Sequence, residues 1–537
     1  MQANKQKQMN LFTKLIYTIM SVLLAIFPFG SAAIRMVLEY KDFWDIFTLS
    51  VMVMTIGLGV ILCAAFMLSF NKRMSKSQTV SICFSLFALS MAIRVLCSYL
   101  LQSQPISDFN TVYQYAIGQL SDPEALLFIG TFPYLGAYAL TLRAVFAFFP
   151  ATVLTAQVLN SAALALIPIF LFLAVRKFIG NDRPAIACAL LYAFNPSMII
   201  YASILSSENI SQVFVALFFM IHAYWLDTDY DSKKKYILAA VMGCAIALLN
   251  LFKPIMIVFF ATFIMAVFCY EMIPSIHSIC HKKEKSGKRA MQIMSSTVIV
   301  IIVALIINKA CVAAVQVEIL GGVVEGGYHT LGSLLYAGLN PVSKGVYDAN
   351  VYGTVADINA LYANSPDATR TLLQKLVELY HGDFSLFCDL QVFKHFKDWC
   401  EEAVYYYWTN ASEAVVQGTL VGAFLFEILP NLYAIALYGF STIGLCLSAV
   451  RSVIVKQTSK KESQCMFLCV GCVFLYALML MVIETQGRYK SNIMPAVCVL
   501  GGIGMWSMVK IANNGLCHIK RLAKKINTKD RCSSIKE

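Results

Sequence analysis

Charged side chains are scarce in this chain. Only 13% of its 537 residues are Asp, Glu, Lys or Arg, whereas soluble globular domains carry about a quarter. Hydrophobic residues make up 59% of the sequence, and apolar runs of about 20 residues, enough to cross roughly 30 Å of hydrocarbon as a helix, recur along it. The shortage of charge excludes a soluble globular fold and predicts an all-α polytopic membrane protein.

The sequence also lacks a recognisable metal-ligand set. Its 17 cysteines lie mostly inside apolar runs, where they behave as small hydrophobic residues, and no Cys/His cluster has zinc spacing. Cys388 and Cys400 share a long polar segment, so the sequence leaves open whether they form a disulfide. The first apolar run has no small-residue cleavage site, which indicates a retained signal anchor.

We predict about twelve transmembrane helices from the apolar runs. The candidate spans lie near 11–34, 47–70, 79–101, 151–175, 184–204, 209–226, 236–251, 254–273, 292–314, 417–450, 464–483 and 491–512. The stretch 132–150 is also apolar, but it is short and carries Arg143, whose burial at the bilayer centre would cost about 2.5–3.5 kcal/mol. We therefore expect it to be an external juxtamembrane helix.

The distribution of basic residues predicts the orientation. With 132–150 not counted as a span, seven basic segments fall on one face, which the positive-inside rule makes cytoplasmic. Both termini then lie in the cytoplasm of a multi-pass plasma-membrane protein. The predicted parts are a transmembrane module over 1–314 with a first external loop at 102–150, an extracytoplasmic loop domain at 315–415, and a second transmembrane module with a basic tail at 416–537.

An acidic residue stands at the start of the first external loop. Asp108 follows an apolar span, and Asp122 and Glu124 form a second acidic pair further along. A carboxylate at the membrane edge with aromatic neighbours such as Tyr113 suits deprotonating a hydroxyl and holding a sugar. Ser107 and Asp108 are also typical of a helix start, so helix capping is an alternative role for Asp108.

Other predicted external turns also carry charge. Glu208 lies near the first turn of the next span, where the helix dipole favours negative charge. Lys253 and Arg488-Tyr489 follow at two later turns. Basic residues are disfavoured on this side, and a bound phosphate would explain them, with snorkelling to lipid phosphates as the alternative. Arg94, inside the third span, is a functional hypothesis because an intramembrane arginine is costly.

Several of these pieces occur in the order known from one family. The segments SDFNTVYQYA, FPYLGAYALTLRAVFAFFP, LSSEN, LLNLFKP and ETQGRYKSNIMPAV resemble motifs of the GT-C superfamily of integral membrane glycosyltransferases, in particular the protein mannosyltransferase and aminoarabinose transferase branch. The resemblance covers most of the chain up to about residue 310 and again from about residue 480. No motif matches 315–415, and the tight Asp-Glu pair of eukaryotic protein mannosyltransferases is missing.

This resemblance implies a GT-C-like fold and transfer of a sugar from a polyprenyl-phosphate carrier to an extracytoplasmic acceptor, with inversion. The implied catalytic residue is Asp108. The predicted substrate-binding residues are Asp122, Glu124, Glu208 and Tyr113, and the predicted lipid-phosphate-binding residues are Lys253, Arg488, Tyr489 and Arg94.

The partners that follow are the lipid-linked donor, the acceptor (a protein, polymer or lipid) and membrane lipids, without nucleic acid. No cofactor is predicted, and the participation of a divalent cation stays open. Two alternative functions are a lipid-linked sugar flippase or transporter, and a polysaccharide polymerase or ligase. The long external segments disfavour a transporter of two six-span halves, whose long loop tends to lie in the middle of the chain.

Overall fold

The fold is helical throughout the residues that the structure describes. The computed structural model describes 11–39, 73–229, 232–280, 286–323, 331–362, 366–402, 404–410, 422, 424–454 and 460–512. All regular secondary structure in these ranges is helix, which confirms the all-α prediction.

Twenty helices are numbered here in chain order. They are α1 (Leu11–Val37), α2 (Lys76–Leu101), α3 (Ser107–Ala116), α4 (Pro123–Thr131), α5 (Pro133–Phe146), α6 (Val153–Ile179), α7 (Asp182–Ala193), α8 (Pro196–Tyr201), α9 (Glu208–Asp227), α10 (Lys233–Phe252), α11 (Met256–Cys280), α12 (Gly287–Leu320), α13 (Leu331–Gly338), α14 (Ala349–Leu361), α15 (Pro366–Tyr380), α16 (Phe384–His395), α17 (Val404–Tyr407), α18 (Phe424–Val450), α19 (Lys461–Val482) and α20 (Gly487–Ala512).

Ten of the helices in the described ranges are long and apolar enough to cross a membrane: α1, α2, α6, α9 to α12, and α18 to α20. The protein is therefore a multi-pass membrane protein. The total of twelve spans stays a prediction, because the candidate span 47–70 lies outside the described residues. In the most apolar stretch of α20, 83% of residues are buried by the described chain, against 17% in α2 and α12. The last span is thus central in the bundle.

The predicted span 184–204 is not one helix. α7 ends at Ala193, and the Asn195 side chain accepts a hydrogen bond from the backbone N–H of Met198 at 3.2 Å, which caps α8. Pro196 takes the first position of α8, where its missing N–H does no harm, and it disfavours helical conformation in the residue before it. The prediction of a continuous helix here was wrong. A hydropathy average over the segment does not detect a helix cap followed by proline.

The stretch 132–150 forms α5, which is bent by 106° from α4. Both helices approach the end of α12 through glycines. A Cβ on Gly130 would lie 2.4 Å from Leu320 Cγ, and one on Gly136 would lie 2.6 Å from Ile319 Cδ1. α4 and α5 therefore do not form a straight span, and the assignment of α5 to the membrane surface stays a prediction.

The segment after α12, called the external segment after its predicted location, has a small core of its own. Ala368, Leu372 and Leu376 on α15 pack with Tyr336 of α13 and Val355 of α14. α12 runs on to Leu320, so the predicted domain boundary at 315 falls inside this helix. The helices α13 to α16 form a compact unit that contacts the start of α20, as described below.

Candidate functional site

The first part of the site is an ion pair at the start of α9. Lys253, the C-cap residue just after α10, places its Nζ 2.7 Å from Glu208 Oε1, and both side chains are nearly buried. The Ser206 hydroxyl donates to Glu208 Oε2. Burial lowers the pKa of Lys253, and the Glu208 carboxylate opposes that shift. Since both Glu208 oxygens already accept hydrogen bonds, the residue neutralises Lys253 in this structure.

The second part is Arg488, in the first turn of α20. Its guanidinium carbon lies 4.7 Å from the centre of the Phe109 ring and 4.8 Å from that of Trp408. Its Nε donates to Gln486 Oε1 at 2.7 Å. Its Nη1 is buried and has no hydrogen-bond partner among the described residues. Aromatic faces thus hold this cation, while part of its donor capacity is unused.

An aromatic ring connects the two cations. The Lys253 ammonium lies 4.0 Å from the centre of the Tyr489 ring, and the Arg488 guanidinium carbon lies 5.7 Å from the same centre. Tyr134 of α5 is also near Lys253, at 5.7 Å. The structure therefore brings Glu208, Lys253, Arg488 and Tyr489 together from three separate turns of the chain.

Asp108 belongs to the same group. It lies in the first turn of α3, next to Phe109, whose ring contacts the Arg488 guanidinium. Electrostatic attraction links Asp108 and Arg488. Ile106 is the N-cap residue of α3, and among the described residues no side chain caps this helix. The half-buried Asp108 carboxylate has one described hydrogen-bond donor, the Ser107 hydroxyl at 3.4 Å. The capping role weighed for Asp108 is therefore not observed.

Three of the predicted substrate-binding residues have structural contacts. Asp122 caps α4 by accepting from the Glu124 backbone N–H at 3.1 Å, and both side chains are exposed. The Tyr113 hydroxyl donates to the carbonyl of Ala151 at 3.1 Å, and its ring packs edge-on against Phe146. These contacts fix the external loop, and they do not place the three side chains beside Arg488.

Arg94 lies elsewhere, in the middle of the bundle. It is fully buried, and its guanidinium donates to the carbonyls of Tyr192 and Ala193 at 3.3 and 3.2 Å, and to Ser90. Both carbonyls lie at the C-terminal end of α7, and that of Tyr192 also accepts from the Asn195 N–H at 3.3 Å. The buried charge is thus solvated by the end of a broken helix, where the negative end of the helix dipole also favours a cation. The structure does not bring Arg94 to the predicted phosphate site.

Sequence reasoning included Tyr489 but missed two further aromatic partners of the two cations. Trp408 ends the run YYYW in the external segment, and Tyr134 follows the first proline of α5. An aromatic cluster at a predicted external position was the available signal, since tyrosine and tryptophan hold cations by their ring faces. Glu484 and Gln486 were also given no role, although they share a turn with Arg488.

A second buried ion pair anchors the external segment. Lys490 Nζ lies 2.8 Å from Glu402 Oε1, and both side chains are fully buried. The Ser197 hydroxyl of α8 donates to the other oxygen of Glu402. Cys400, nearby, is buried and Cys388 is exposed, and these two described residues form no disulfide with each other. The pair therefore ties the end of the external segment to α8 and α20 without a disulfide.

The arrangement has the parts for binding an anion and accepting a proton. In the part of the chain that the structure describes, no group of three or more His, Cys, Asp or Glu side chains is placed to hold a metal ion. Comparison of the chain with protein-family models, curated proteins and solved structures gave no match. Functional inference therefore rests on the contacts of Asp108, Glu208, Lys253 and Arg488.

Proposed function

We propose that the protein is a GT-C-like glycosyltransferase that moves a sugar from a polyprenyl-phosphate carrier to an extracytoplasmic acceptor, with inversion. The observation that carries the proposal is that Arg488 keeps a buried Nη1 without a partner among the described residues, while the half-buried Asp108 lies near it. An arginine of this kind suits a phosphate, and a carboxylate with one weak donor suits a proton acceptor.

The reaction that fits these residues is a single displacement. The acceptor hydroxyl oxygen forms a bond to the anomeric carbon, and the bond from that carbon to the phosphate oxygen breaks. The electron pair remains on the phosphate, and the hydroxyl proton goes to the Asp108 carboxylate. Because the leaving phosphate is already a stable anion, its departure needs charge stabilisation rather than a strong general acid.

The two cations have different parts in this proposal. Glu208 neutralises Lys253 in the structure, so Lys253 contributes less charge to a bound phosphate. Arg488 retains the unpartnered donor and is the main phosphate-binding residue. Tyr489, whose ring touches Lys253, lines the same place. The contacts of Asp122, Glu124 and Tyr113 do not support a role in carbohydrate binding. The proposal therefore assigns them none.

The first experiment identifies donor and acceptor, and then tests Asp108. Mass spectrometry of surface glycans with and without the gene should reveal a missing monosaccharide. Transfer of that sugar by purified protein should fall about 10²- to 10⁴-fold in Asp108→Asn, the usual contribution of a positioned general base. Asp122→Asn is the matched control, since Asp122 is an exposed cap of α4, and it should keep its rate. Full activity in Asp108→Asn would remove Asp108 from the role of base.

The orientation has its own test. Cysteines introduced at 108 and 360 should react with impermeant reagents added outside intact cells, as residue 360 is exposed on α14. Labelling only from the cytoplasmic side would overturn both enzyme hypotheses. Movement of a lipid-linked sugar between leaflets of vesicles, with no bond cleaved, would favour the flippase alternative.

A further inference from the structure

A chain of hydrogen bonds runs from the external segment to Arg488. The Tyr352 hydroxyl of α14 donates to Glu484 Oε2. Glu484 Oε1 accepts from Gln486 Nε2 at 2.5 Å, and Gln486 Oε1 accepts from Arg488 Nε at 2.7 Å. We call these four side chains the Tyr352–Arg488 relay. It joins a helix of the external segment to the residue that binds phosphate in the proposed function.

The polarity of the relay fixes the orientation of each group. Burial and the Glu484 carboxylate raise the pKa of Tyr352, so its hydroxyl stays protonated and acts as donor. A carboxylate only accepts, which forces the Gln486 amide nitrogen toward Glu484 and its oxygen toward Arg488. Without Glu484, the amide could turn and present its N–H groups to the guanidinium. The relay thus holds Arg488 by Nε.

The backbone of the same turn is also held by the external segment. The Thr485 N–H donates to the carbonyl of Gly345 at 2.7 Å. The Lys394 ammonium donates to the carbonyls of Gly338, at 2.7 Å, and Ile483. The external segment therefore contacts residues 483–485 through backbone and side chain, just before α20 begins at Gly487.

We infer that α13 to α16 act as a positioning element for the phosphate-binding arginine, with Tyr352, Glu484 and Gln486 as positioning residues. The inference rests on the proposed function of Arg488. The affinity for a lipid phosphate then depends on a hydroxyl in α14, which itself makes no contact with the ligand. This gives the external segment, which matches no motif of the resembled family, a definite task in donor binding.

The test measures binding of polyprenyl phosphate to the full chain in nanodiscs, with inorganic phosphate as competitor. Tyr352→Phe removes only the hydroxyl and should weaken binding by about 10- to 150-fold, the effect of one hydrogen bond to a charged group. Tyr347→Phe is the matched control, since its ring stacks on Tyr352 with centres 5.1 Å apart but lies outside the relay. It should bind as tightly as the natural chain.

Further readouts separate positioning from general destabilisation. Tyr352→Phe should raise the KM for the donor while kcat at saturating donor changes little, and its unfolding temperature without ligand should match that of Tyr347→Phe. Glu484→Gln should weaken binding similarly, because the amide at 484 no longer dictates the orientation of Gln486. Competition by inorganic phosphate alone, with no gain from the lipid chain, would identify a free-phosphate site.

Two outcomes overturn the inference, and they are distinguishable. If the natural chain binds polyprenyl phosphate and Tyr352→Phe binds it equally well, the relay does not position Arg488 and the proposed function stands. A lower unfolding temperature with unchanged affinity overturns the inference in the same way, since Tyr352 is then structural only. If the natural chain binds neither the lipid nor inorganic phosphate, the proposed function fails and the inference fails with it.

Discussion

The two ends of α9 carry charges of different kinds. Glu208 begins the helix and Asp227 ends it, about 30 Å apart for 20 residues at 1.5 Å each. At the second end, Asp227 pairs with Lys177 and Lys461, and all three side chains are a third to a half exposed. At the first end, Glu208, Lys253 and Arg488 are buried among aromatic rings. Ion pairs occur at both ends, so pairing alone does not mark a site. The first end differs because the buried Arg488 guanidinium lies against the Phe109 and Trp408 rings, near the half-buried Asp108.

The largest effect is expected from removing the buried carboxylate. Glu208→Ala leaves Lys253 buried without its ion-pair partner, which should lower the free energy of unfolding by about 3–5 kcal/mol. Denaturant unfolding in detergent measures it. Because burial lowers the pKa of Lys253 in the folded state, the unfolded chain binds more protons between the two pKa values. Stability of the variant should therefore rise with pH across that interval. A loss under 1 kcal/mol would mean that water reaches Lys253.

The next effect concerns the shape of the cation. Arg488→Lys keeps the charge but loses the Nε bond to Gln486 and the planar contact with Phe109 and Trp408. Binding of polyprenyl phosphate should weaken about 10- to 100-fold, since a planar donor fork is replaced by a point charge. Arg176→Lys is the control at the other end of the bundle, where Arg176 pairs with Asp182 at 2.8 Å. Equal affinity in both variants would argue against phosphate binding by Arg488.

A smaller effect is expected where the external segment touches the bundle. A Cβ on Gly338 would lie 2.3 Å from the Val482 carbonyl oxygen, so Gly338→Ala should lower the free energy of unfolding by about 1–3 kcal/mol. Gly353 in α14 has no atom within 4 Å of such a Cβ. Gly353→Ala should instead stabilise by about 0.5–1 kcal/mol, because glycine is unfavourable inside a helix. Equal effects of the two substitutions on unfolding would show that α13 does not pack closely here.

The smallest effect belongs to the exposed end of α9. Asp227→Ala breaks two ion pairs, yet it should change the free energy of unfolding by only about 0–1 kcal/mol. The change should shrink further as salt is added, because exposed charges are screened. Unfolding at low and high ionic strength measures both. A large decrease in the free energy of unfolding that does not depend on salt would show that the ion pairs at the two ends of α9 are equally important.

The sequence shows which charged residues lie at the ends of spans. The cost of burying a charge in the membrane and the positive-inside rule can each be applied to a single residue. The orientation rule singled out Lys253 and Arg488, and the family resemblance added Asp108 and Glu208. The structure brings these four residues together. The two rules did not predict the break after α7, and for the same reason they misplaced Arg94. The carbonyls that accept from Arg94 belong to Tyr192 and Ala193, the last residues of α7. Contacts such as Tyr352 with Glu484, 132 positions apart, depend on how the external segment packs and leave no local pattern.

The order of the site residues along the chain has a consequence for biosynthesis. Glu208 and Lys253 leave the ribosome early and can neutralise each other as soon as α9 and α10 are inserted. Arg488 arrives much later, with α20. A nascent chain stalled before residue 484 could therefore fold a neutral ion pair, but it would lack both the arginine and the carboxylate that orients it. In the proposed function, the phosphate-binding site would therefore form only with insertion of the last described span, and unfinished chains would not bind the lipid carrier.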